Sequence, residues 1–160
     1  MIAIKRDPAF LEAYFNLGNA YLSQRLFDEA IDYYKLALKI NPDFSDAYSN
    51  LGNAYVSQGH IDKAIEYFQL AVKFNPTLSK AHYNLGNAYL SQGLFGKAIE
   101  QYLLAIKIKP DYALAHNNLG LAYKSQGNIE MAVREYNNAL RLKPGWELPR
   151  KGLEQINQER

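Results

Sequence analysis

The chain has 160 residues, a net charge of +2 and no cysteine. The small charge argues against a polyanionic partner such as nucleic acid, and the lack of cysteine excludes a disulfide framework and thiolate metal sites. There is also no run of about 18 apolar residues and no apolar signal segment. We therefore expect a cytoplasmic protein that does not enter a membrane.

A unit of 34 residues recurs along the chain. The run Asn-Leu-Gly begins at Asn16 and returns at Asn50, Asn84 and Asn118. A period in this range indicates stacked supersecondary units, each of which buries its apolar face against a neighbour. The prolines keep the same spacing, at Pro8, Pro42, Pro76, Pro110 and Pro144.

Residues 1–10 align with the end of a unit, because Ala3 and Pro8 fall on the alanine and proline positions of the later units. We predict a partial repeat here, the end of a second helix without its first helix, and interpret the chain as a fragment of a longer array. Exposed apolar patches usually mark contacts, so we also expect self-association through this N-terminal edge. The apolar residues of the edge are Ile2, Ile4 and Phe10.

Each unit contains two predicted helices. In the first unit, the segments 11–24 and 28–40 have apolar residues at spacings of three and four, as a helix with one buried face requires. A glycine follows the first helix in the later units, where a left-handed residue ends a helix. Arg25 holds that place in the first unit, which predicts local strain of about 1 kcal/mol. The four units are 11–44, 45–78, 79–112 and 113–146.

Residues 147–160 have the pattern of a final helix with a polar outer face, which the last unit of an array needs. We interpret this segment as a C-terminal solvating helix. Its predicted buried residues are Leu148, Leu153 and Ile156.

The recurring positions resemble the tetratricopeptide repeat family, whose pattern runs aromatic, Leu, Gly, Tyr, then Ala, aromatic, Ala and Pro. The resemblance covers nearly the whole chain, with histidine in the first aromatic place of the third and fourth units. It implies an all-α fold, a right-handed α-solenoid superhelix of antiparallel helix pairs. In the first unit the pattern is Tyr14, Leu17, Gly18, Tyr21, Ala30, Tyr34, Ala37 and Pro42.

Catalytic and metal sites have little support in the sequence. His82 and His116 lie one period apart, as a metal pair on neighbouring helices would, but they occupy the place that tyrosine holds in the first two units. We therefore interpret both as packing residues. The chain lacks a Gly-rich loop with lysine for phosphate, and it shows no set of nucleophile, base and orienting residue. We predict no enzyme activity, no cofactor and no metal site.

RNA binding is also disfavoured. The related pentatricopeptide repeats bind single-stranded RNA one base per repeat, but here the predicted groove is mostly neutral. The tyrosines occupy packing positions of the family pattern, so we predict no nucleic-acid partner.

Asparagines give the strongest functional signal. In this family the first helices line a concave groove, and the sixth and ninth repeat positions face it. A row of amides there can bind the backbone of an extended peptide, and it resembles the asparagine ladder in the repeat region of O-linked N-acetylglucosamine transferase. The alternative is that asparagine is simply common at these family positions. The predicted ladder is Asn16, Asn19, Asn50, Asn53, Asn84, Asn87 and Asn118, with Leu121 ending the ninth-position row.

Other groove positions give the predicted site its character. Phe15 and Tyr83 occupy the fifth place, where they would select apolar or aromatic groups, and Lys80 and Lys124 add positive charge. The set Asn19, Asn50 and Lys80 resembles part of the carboxylate clamp of heat-shock chaperone adaptors. That clamp is incomplete, because Phe15 and Asn84 replace its other two basic residues.

The sequence thus predicts a non-enzymatic module that binds a protein or peptide in extended conformation through the ladder and scaffolds a complex. Two alternatives stay open. The chain is a substrate-recruiting region of a larger enzyme, such as a glycosyltransferase, or it is a self-assembling structural array. Continuation into a catalytic domain would support the first alternative, and concentration-dependent size would support the second.

Overall fold

The computed structural model describes residues 8–158, which form nine α-helices joined by short turns and contain no β-strand. The chain divides into two compact units between residues 81 and 82, inside the fifth helix. The predicted all-α fold of helix pairs is confirmed. The helices are α1 Pro8–Ser23, α2 Phe27–Ile40, α3 Ser45–Ser57, α4 Ile61–Phe74, α5 Ser79–Ser91, α6 Phe95–Ile108, α7 Ala113–Ser125, α8 Ile129–Leu142 and α9 Glu147–Gln158.

In the first unit, α1 packs on α2, α2 on α3 and α3 on α4. The packing depends on small residues that let an aromatic ring approach the backbone. A Cβ at Gly18 would lie 2.6 Å from Cε1 of Tyr34, and one at Gly52 would lie 2.5 Å from Cε1 of Phe68. Tyr34 and Phe68 are almost fully buried, so the family's glycine and aromatic positions form the core of each helix pair.

The second unit repeats this packing, with α7 against α6 and α8, and α9 against α8. Tyr136 on α8 is held between two glycines, since a Cβ at Gly120 would lie 2.8 Å and one at Gly152 2.6 Å from its ring atoms. Buried alanines such as Ala132 and Ala139 line the same helix. The glycine of α9 thus has the same packing role as the glycines of the repeats.

The turn after each first helix has left-handed backbone at the predicted residue. Arg25 has φ 62°, and Gly59, Gly93 and Gly127 have φ between 72° and 84°. In the first turn, the N–H of Leu26 donates to the carbonyl oxygen of Tyr21 at 3.0 Å, and that of Arg25 to Leu22 at 3.0 Å. These are the two bonds of a Schellman motif. Arg25 thus has the left-handed conformation expected at this place, and the strain of about 1 kcal/mol stays a prediction.

The two ends of the described segment differ from the predictions. Helix α1 begins at Pro8 instead of Leu11, which suits the preference of proline for the first helical position. Residues 1–7 lie outside the described residues, so the partial repeat and the roles of Ile2 and Ile4 stay predictions. Residues 159 and 160 also lie outside the described residues.

Helix α9 is present, but the prediction that Leu148 is buried is wrong, because this side chain is 59% exposed. The buried residues of α9 are Pro149, Gly152 and Ile156, which follow one another at spacings of three and four and therefore share a helix face. Leu153 is partly exposed. Within residues 8–158, no helix has the length and apolar character needed to cross a membrane.

Candidate functional site

Two predicted ladder residues of the first unit are joined to a core tyrosine. Asn50 on α3 donates from Nδ2 to Oδ1 of Asn19 on α1 at 2.8 Å, and the Tyr34 hydroxyl donates to the same oxygen at 2.8 Å. The two donors converge on both lone pairs of one carbonyl oxygen. This group of three residues, which we call the first triad, ties together α1, α2 and α3.

The second unit contains a matching group, the second triad. Asn118 on α7 donates from Nδ2 to Oδ1 of Asn87 on α5 at 2.8 Å, and the Tyr102 hydroxyl donates to that oxygen at 2.7 Å. Because each residue is displaced by two repeat lengths from its counterpart, the same sequence positions produce the same bonds. The ladder asparagines are therefore bonded to each other and to tyrosine in both units.

The triad tyrosines stay protonated over a wide pH range. Burial raises the pKa of Tyr34 to about 12, although the hydrogen bond from Asn50 partly lowers it. Burial also raises the pKa of Tyr102, the nearby Tyr83 raises it further, and a hydrogen bond from Asn118 lowers it. Both hydroxyls therefore remain donors to the asparagines at physiological pH.

The triads leave some amide groups open. In the described part of the chain, no acceptor takes the Nδ2 hydrogens of Asn19 or Asn87. Both side chains are only partly buried, and Asn16 on α1 is exposed. These three amides can hydrogen-bond a ligand without breaking a bond of the triads. Asn53 on α3 and Asn84 on α5 are also partly buried.

Aromatic rings flank each triad. In the first unit, the ring of Phe15 lies 5.9 Å from that of Tyr34 and 4.8 Å from that of Phe44. In the second unit, Tyr83 lies 6.0 Å from Tyr102 and 5.0 Å from Tyr112. The two predicted selectivity residues, Phe15 and Tyr83, therefore occupy matching aromatic clusters.

The fifth repeat position has a smaller residue in the second and fourth repeats. Ser49 is 3% exposed, and among the described residues its hydroxyl has no hydrogen-bond partner. Asn117 is also buried, but its Nδ2 donates to Oδ1 of Asn118 at 2.9 Å. Aromatic and small residues thus alternate along the chain at this position.

The predicted cationic residues lie in different surroundings. Lys80 is exposed on α5. Lys124 on α7 donates from Nζ to Oε1 of Gln155 on α9 at 3.2 Å, so one of its hydrogens is used within the protein.

The two core histidines are buried, as their packing interpretation requires, and each hydrogen-bonds the second helix of its own repeat. Nδ1 of His82 lies 2.9 Å from Oε1 of Gln101. Nδ1 of His116 lies 2.7 Å from Oε2 of Glu135, and its Nε2 lies 3.1 Å from the carbonyl oxygen of Pro110. Among residues 8–158, no group of three or more His, Cys, Asp or Glu side chains is arranged to hold a metal ion.

Both ring nitrogens of His116 face acceptors, which favours the doubly protonated ring. The hydrogen bond to Glu135 raises the pKa of His116, against the lowering effect of burial. Burial raises the pKa of Glu135, but hydrogen bonds from His116, Asn138 and Arg134 outweigh it and lower the pKa below its usual value. When His116 is protonated, it forms a buried ion pair with Glu135.

Sequence reasoning missed two groups of functional interest. It assigned Tyr34 and Tyr102 to packing alone, although both also hold an asparagine. It did not connect each core histidine with the residue 19 positions later. A signal for the second group was present, because that later position holds tyrosine in the first two repeats and changes to Gln101 and Glu135 in the two repeats that contain histidine.

Recurring helix pairs, close glycine–aromatic contacts and left-handed turns define an α-solenoid repeat protein. Models of the tetratricopeptide repeat match residues 11–44 and 113–145, a TPR repeat model matches 52–93 and 86–127, and a third tetratricopeptide repeat model matches 33–66. The chain belongs to the tetratricopeptide repeat family. The matching models describe repeats, and none of them describes a catalytic domain.

Solved structures agree with this assignment. A crystal structure of MamA is 34% identical with a TM-score of 0.79, covering 88% of this chain and 82% of MamA. A second MamA structure is 34% identical with a TM-score of 0.76, covering 88% and 76%. YrrB, described as a TPR protein with an unusual peptide-binding site, is 26% identical with a TM-score of 0.79, covering 90% and 74%. A comparison with curated proteins finds no match.

Proposed function

We propose that this chain is a non-enzymatic protein-interaction module that binds an extended peptide through its ladder asparagines and thereby scaffolds a complex. The observation that carries the proposal is the pair of matching triads, which fix amide groups at equivalent places in both units. The peptide-binding site of the related YrrB supports the same class of ligand. Cytoplasmic location stays a prediction.

The triads give the asparagines defined orientations before a peptide arrives. Oδ1 of Asn19 is held by two donors, so its Nδ2 group points away from them. Asn87 is held in the same way. A fixed amide loses little conformational freedom on binding, and such preorganisation favours affinity. Contacts of this kind go to the main chain of the peptide and select for extended backbone more than for side chains.

The test begins with display of random 12-residue peptides on phage, selected against the immobilised full chain. Enriched peptides are synthesised and titrated calorimetrically against Asn16→Ala and Asn87→Ala. Each substitution should weaken binding by about 0.5–1.5 kcal/mol, the net value of one hydrogen bond. Asn16 is the cleaner site, because it is exposed and makes no described bond within the protein.

Asn137→Ala, which removes an exposed asparagine from α8, is the matched control and should leave the affinity unchanged. Melting curves show whether each variant is folded. Wild-type affinity in folded Asn16→Ala and Asn87→Ala would show that the asparagines do not hold the peptide.

Self-association through the N-terminal edge is a second proposal, favoured by two exposed apolar residues of α1. Phe10 is 56% and Leu17 is 41% exposed. The proposed partner is a second copy of this chain. Light scattering over a concentration series should show an assembly that Phe10→Glu dissociates, whereas Leu103→Glu, at a 44% exposed site on α6, should not change its size. A monomer at all concentrations contradicts the proposal.

A further inference from the structure

Tyr83 extends the second triad into a larger network. Asn118 donates from Nδ2 to the Tyr83 hydroxyl oxygen at 3.2 Å as well as to Asn87 at 2.8 Å. Its Oδ1 accepts from Nδ2 of Asn117 at 2.9 Å. These hydrogen bonds join three residues of the second unit, all at predicted ladder or fifth positions, to one amide.

The amide of Asn118 has no donor left for a ligand. An asparagine side chain carries two N–H hydrogens, and here three oxygens, those of Tyr83, Asn87 and Tyr102, accept from them. The prediction that Asn118 donates directly to a peptide backbone therefore does not fit the bonding pattern. A peptide near Asn118 would therefore receive a hydrogen bond from the next group in the network.

That next group is the Tyr83 hydroxyl. An amide nitrogen cannot accept, so the Tyr83 proton must point away from Asn118. Among residues 8–158, no acceptor for this proton lies within hydrogen-bonding distance. The ring is positioned by contacts with Tyr102 and Tyr112, and the side chain is only partly buried. The Tyr83 hydroxyl group is thus fixed in position, and its O–H hydrogen points away from the network.

The first unit lacks this donor. Phe15 occupies the position that matches Tyr83, in an equivalent aromatic cluster with Tyr34 and Phe44. The triad beneath it has the same bonds. The two units therefore differ at this position by one hydroxyl group, which makes each a control for the other.

We propose that Tyr83 determines specificity in the second unit by donating a hydrogen bond to an oxygen acceptor of the bound peptide. This inference rests on the proposed function. It adds that a peptide bound to the second unit has an oxygen acceptor where it crosses α5 and α7, whereas a peptide bound to the first unit has an apolar group where it crosses Phe15. Burial of an apolar group against a tyrosine hydroxyl would leave the hydroxyl unpaired, so such peptides are disfavoured over the second unit.

The oxygen acceptor has two sources, a main-chain carbonyl or a side-chain carboxylate. The experiment uses the peptides enriched from the random 12-residue library on the full chain. Tyr83→Phe should weaken a carbonyl contact about 2- to 10-fold and a carboxylate contact by roughly 10-fold or more, because hydrogen bonds to charged groups are stronger. Only the carboxylate contact should weaken further as salt is raised from low to high concentration.

The acceptor is then located with double-mutant cycles between protein and peptide. One arm replaces each main-chain amide of the peptide by an ester, whose carbonyl is a poorer acceptor, and the other replaces each Asp or Glu by Asn or Gln. A change that couples to Tyr83→Phe identifies the acceptor. Phe15→Tyr makes the reverse change in the first unit and should weaken the binding of peptides that place an apolar group there, because the added hydroxyl is left unpaired.

Circular dichroism and melting curves should be near those of the wild type for Tyr83→Phe, since the matching position already holds phenylalanine. Unchanged affinity of folded Tyr83→Phe, while Asn16→Ala still weakens binding, overturns the role of Tyr83 and leaves the proposed function intact. Enrichment of no peptide at all contradicts the proposed function and this inference together. Coupling at either type of acceptor supports the inference.

Discussion

The two units place chemically different side-chain pairs at one corresponding position between two helices, which we call the slot. In the first unit, the rings of Tyr48 and Tyr67 stack with centroids 6.4 Å apart and an interplanar angle of 22°. In the second unit, the slot holds His116 and Glu135, whose side chains are 9% and 5% exposed. The aromatic pair needs no partner beyond van der Waals contact, whereas the charged pair must stay complete to be tolerated in the interior.

This difference shows that the scaffold fixes the volume and direction of the slot but not its polarity. His82 and Gln101 in the third repeat form an intermediate case, with a hydrogen bond between the two side chains and no carboxylate. A change of two residues therefore introduces a histidine–carboxylate pair, and with it a pH-dependent contribution to stability, into the slot of the second unit.

Glu135→Leu should have the largest effect, because it leaves His116 buried beside an acceptor at only one of its nitrogens. Breaking a buried pair costs about 3–5 kcal/mol. Gln101→Leu, the matched change at the neutral pair, should cost about 1 kcal/mol. Urea unfolding of both variants measures the difference. Equal losses would show that the charge of the pair is unimportant.

The pH dependence of stability should come from the same pair. The pKa of His116 is raised, so its contribution is fully present below the unfolded value near 6.5 and is lost as pH rises through the folded pKa. The pKa of Glu135 is lowered, so its contribution is present above 4.5 and is lost as pH falls through the folded pKa. One proton changes the free energy of unfolding by at most about 1.4 kcal/mol per pH unit.

Urea midpoints measured from about pH 3 to pH 9 test this dependence. This range includes the ordinary pKa values of histidine and glutamate and extends beyond them in the direction of each shift. The double variant His116→Tyr with Glu135→Tyr installs the residues of the first unit and should flatten the profile. If the stability of this variant depends on pH as strongly as that of the wild type, the dependence comes from groups other than His116 and Glu135.

The turns of the two units give a third comparison. Arg25 has φ 62°, where the second unit uses Gly93 and Gly127. Arg25→Gly should raise the free energy of unfolding by about 1 kcal/mol, because glycine adopts this conformation without strain. Gly127→Arg should lower it by a similar amount. Thermal melts measure both changes. If Arg25→Gly lowers the melting temperature, the prediction that the backbone of Arg25 is strained is wrong.

The fifth position gives the smallest expected effect. Ser49 buries a hydroxyl without a described partner, whereas Asn117 in the second unit is bonded to Asn118. Ser49→Ala should therefore stabilise the chain by about 0.5–1 kcal/mol, since the unpaired group is removed. Asn117→Ala should destabilise it by a similar amount. Opposite signs in denaturant unfolding are the expected result, and the same sign in both would contradict it.

Sequence reasoning reached the helix pairs because their determinants are local and repeated. The 34-residue period, the glycine after each first helix and the replacement of one by Arg25 all have a direct backbone meaning. The buried face of α9 was harder to predict, because Leu148 is apolar but exposed, whereas Pro149 and Gly152 are buried. Apolar character alone does not determine which of two adjacent faces of a short helix is buried.

The sequence predicted which helices hold the asparagines of the candidate site, but not the hydrogen bonds that these asparagines make. The spacing brought Asn19 and Asn50 to neighbouring helices, and the structure has them there. That Tyr34 shares the same oxygen depends on the depth at which its ring lies against Gly18. Such distances follow from three-dimensional packing, and a pattern of residue types does not contain them.

The triads also bear on how fast the chain folds. Their bonds join residues 15 and 31 positions apart, so each closes a loop shorter than one repeat. The entropy of closing a loop grows with its length, and a bond confined to one repeat length costs the same wherever it lies in the array. Helical proteins with such local contacts fold in roughly microseconds to milliseconds. Each triad can thus form as soon as three successive helices have been synthesised, before the remainder of the chain is available.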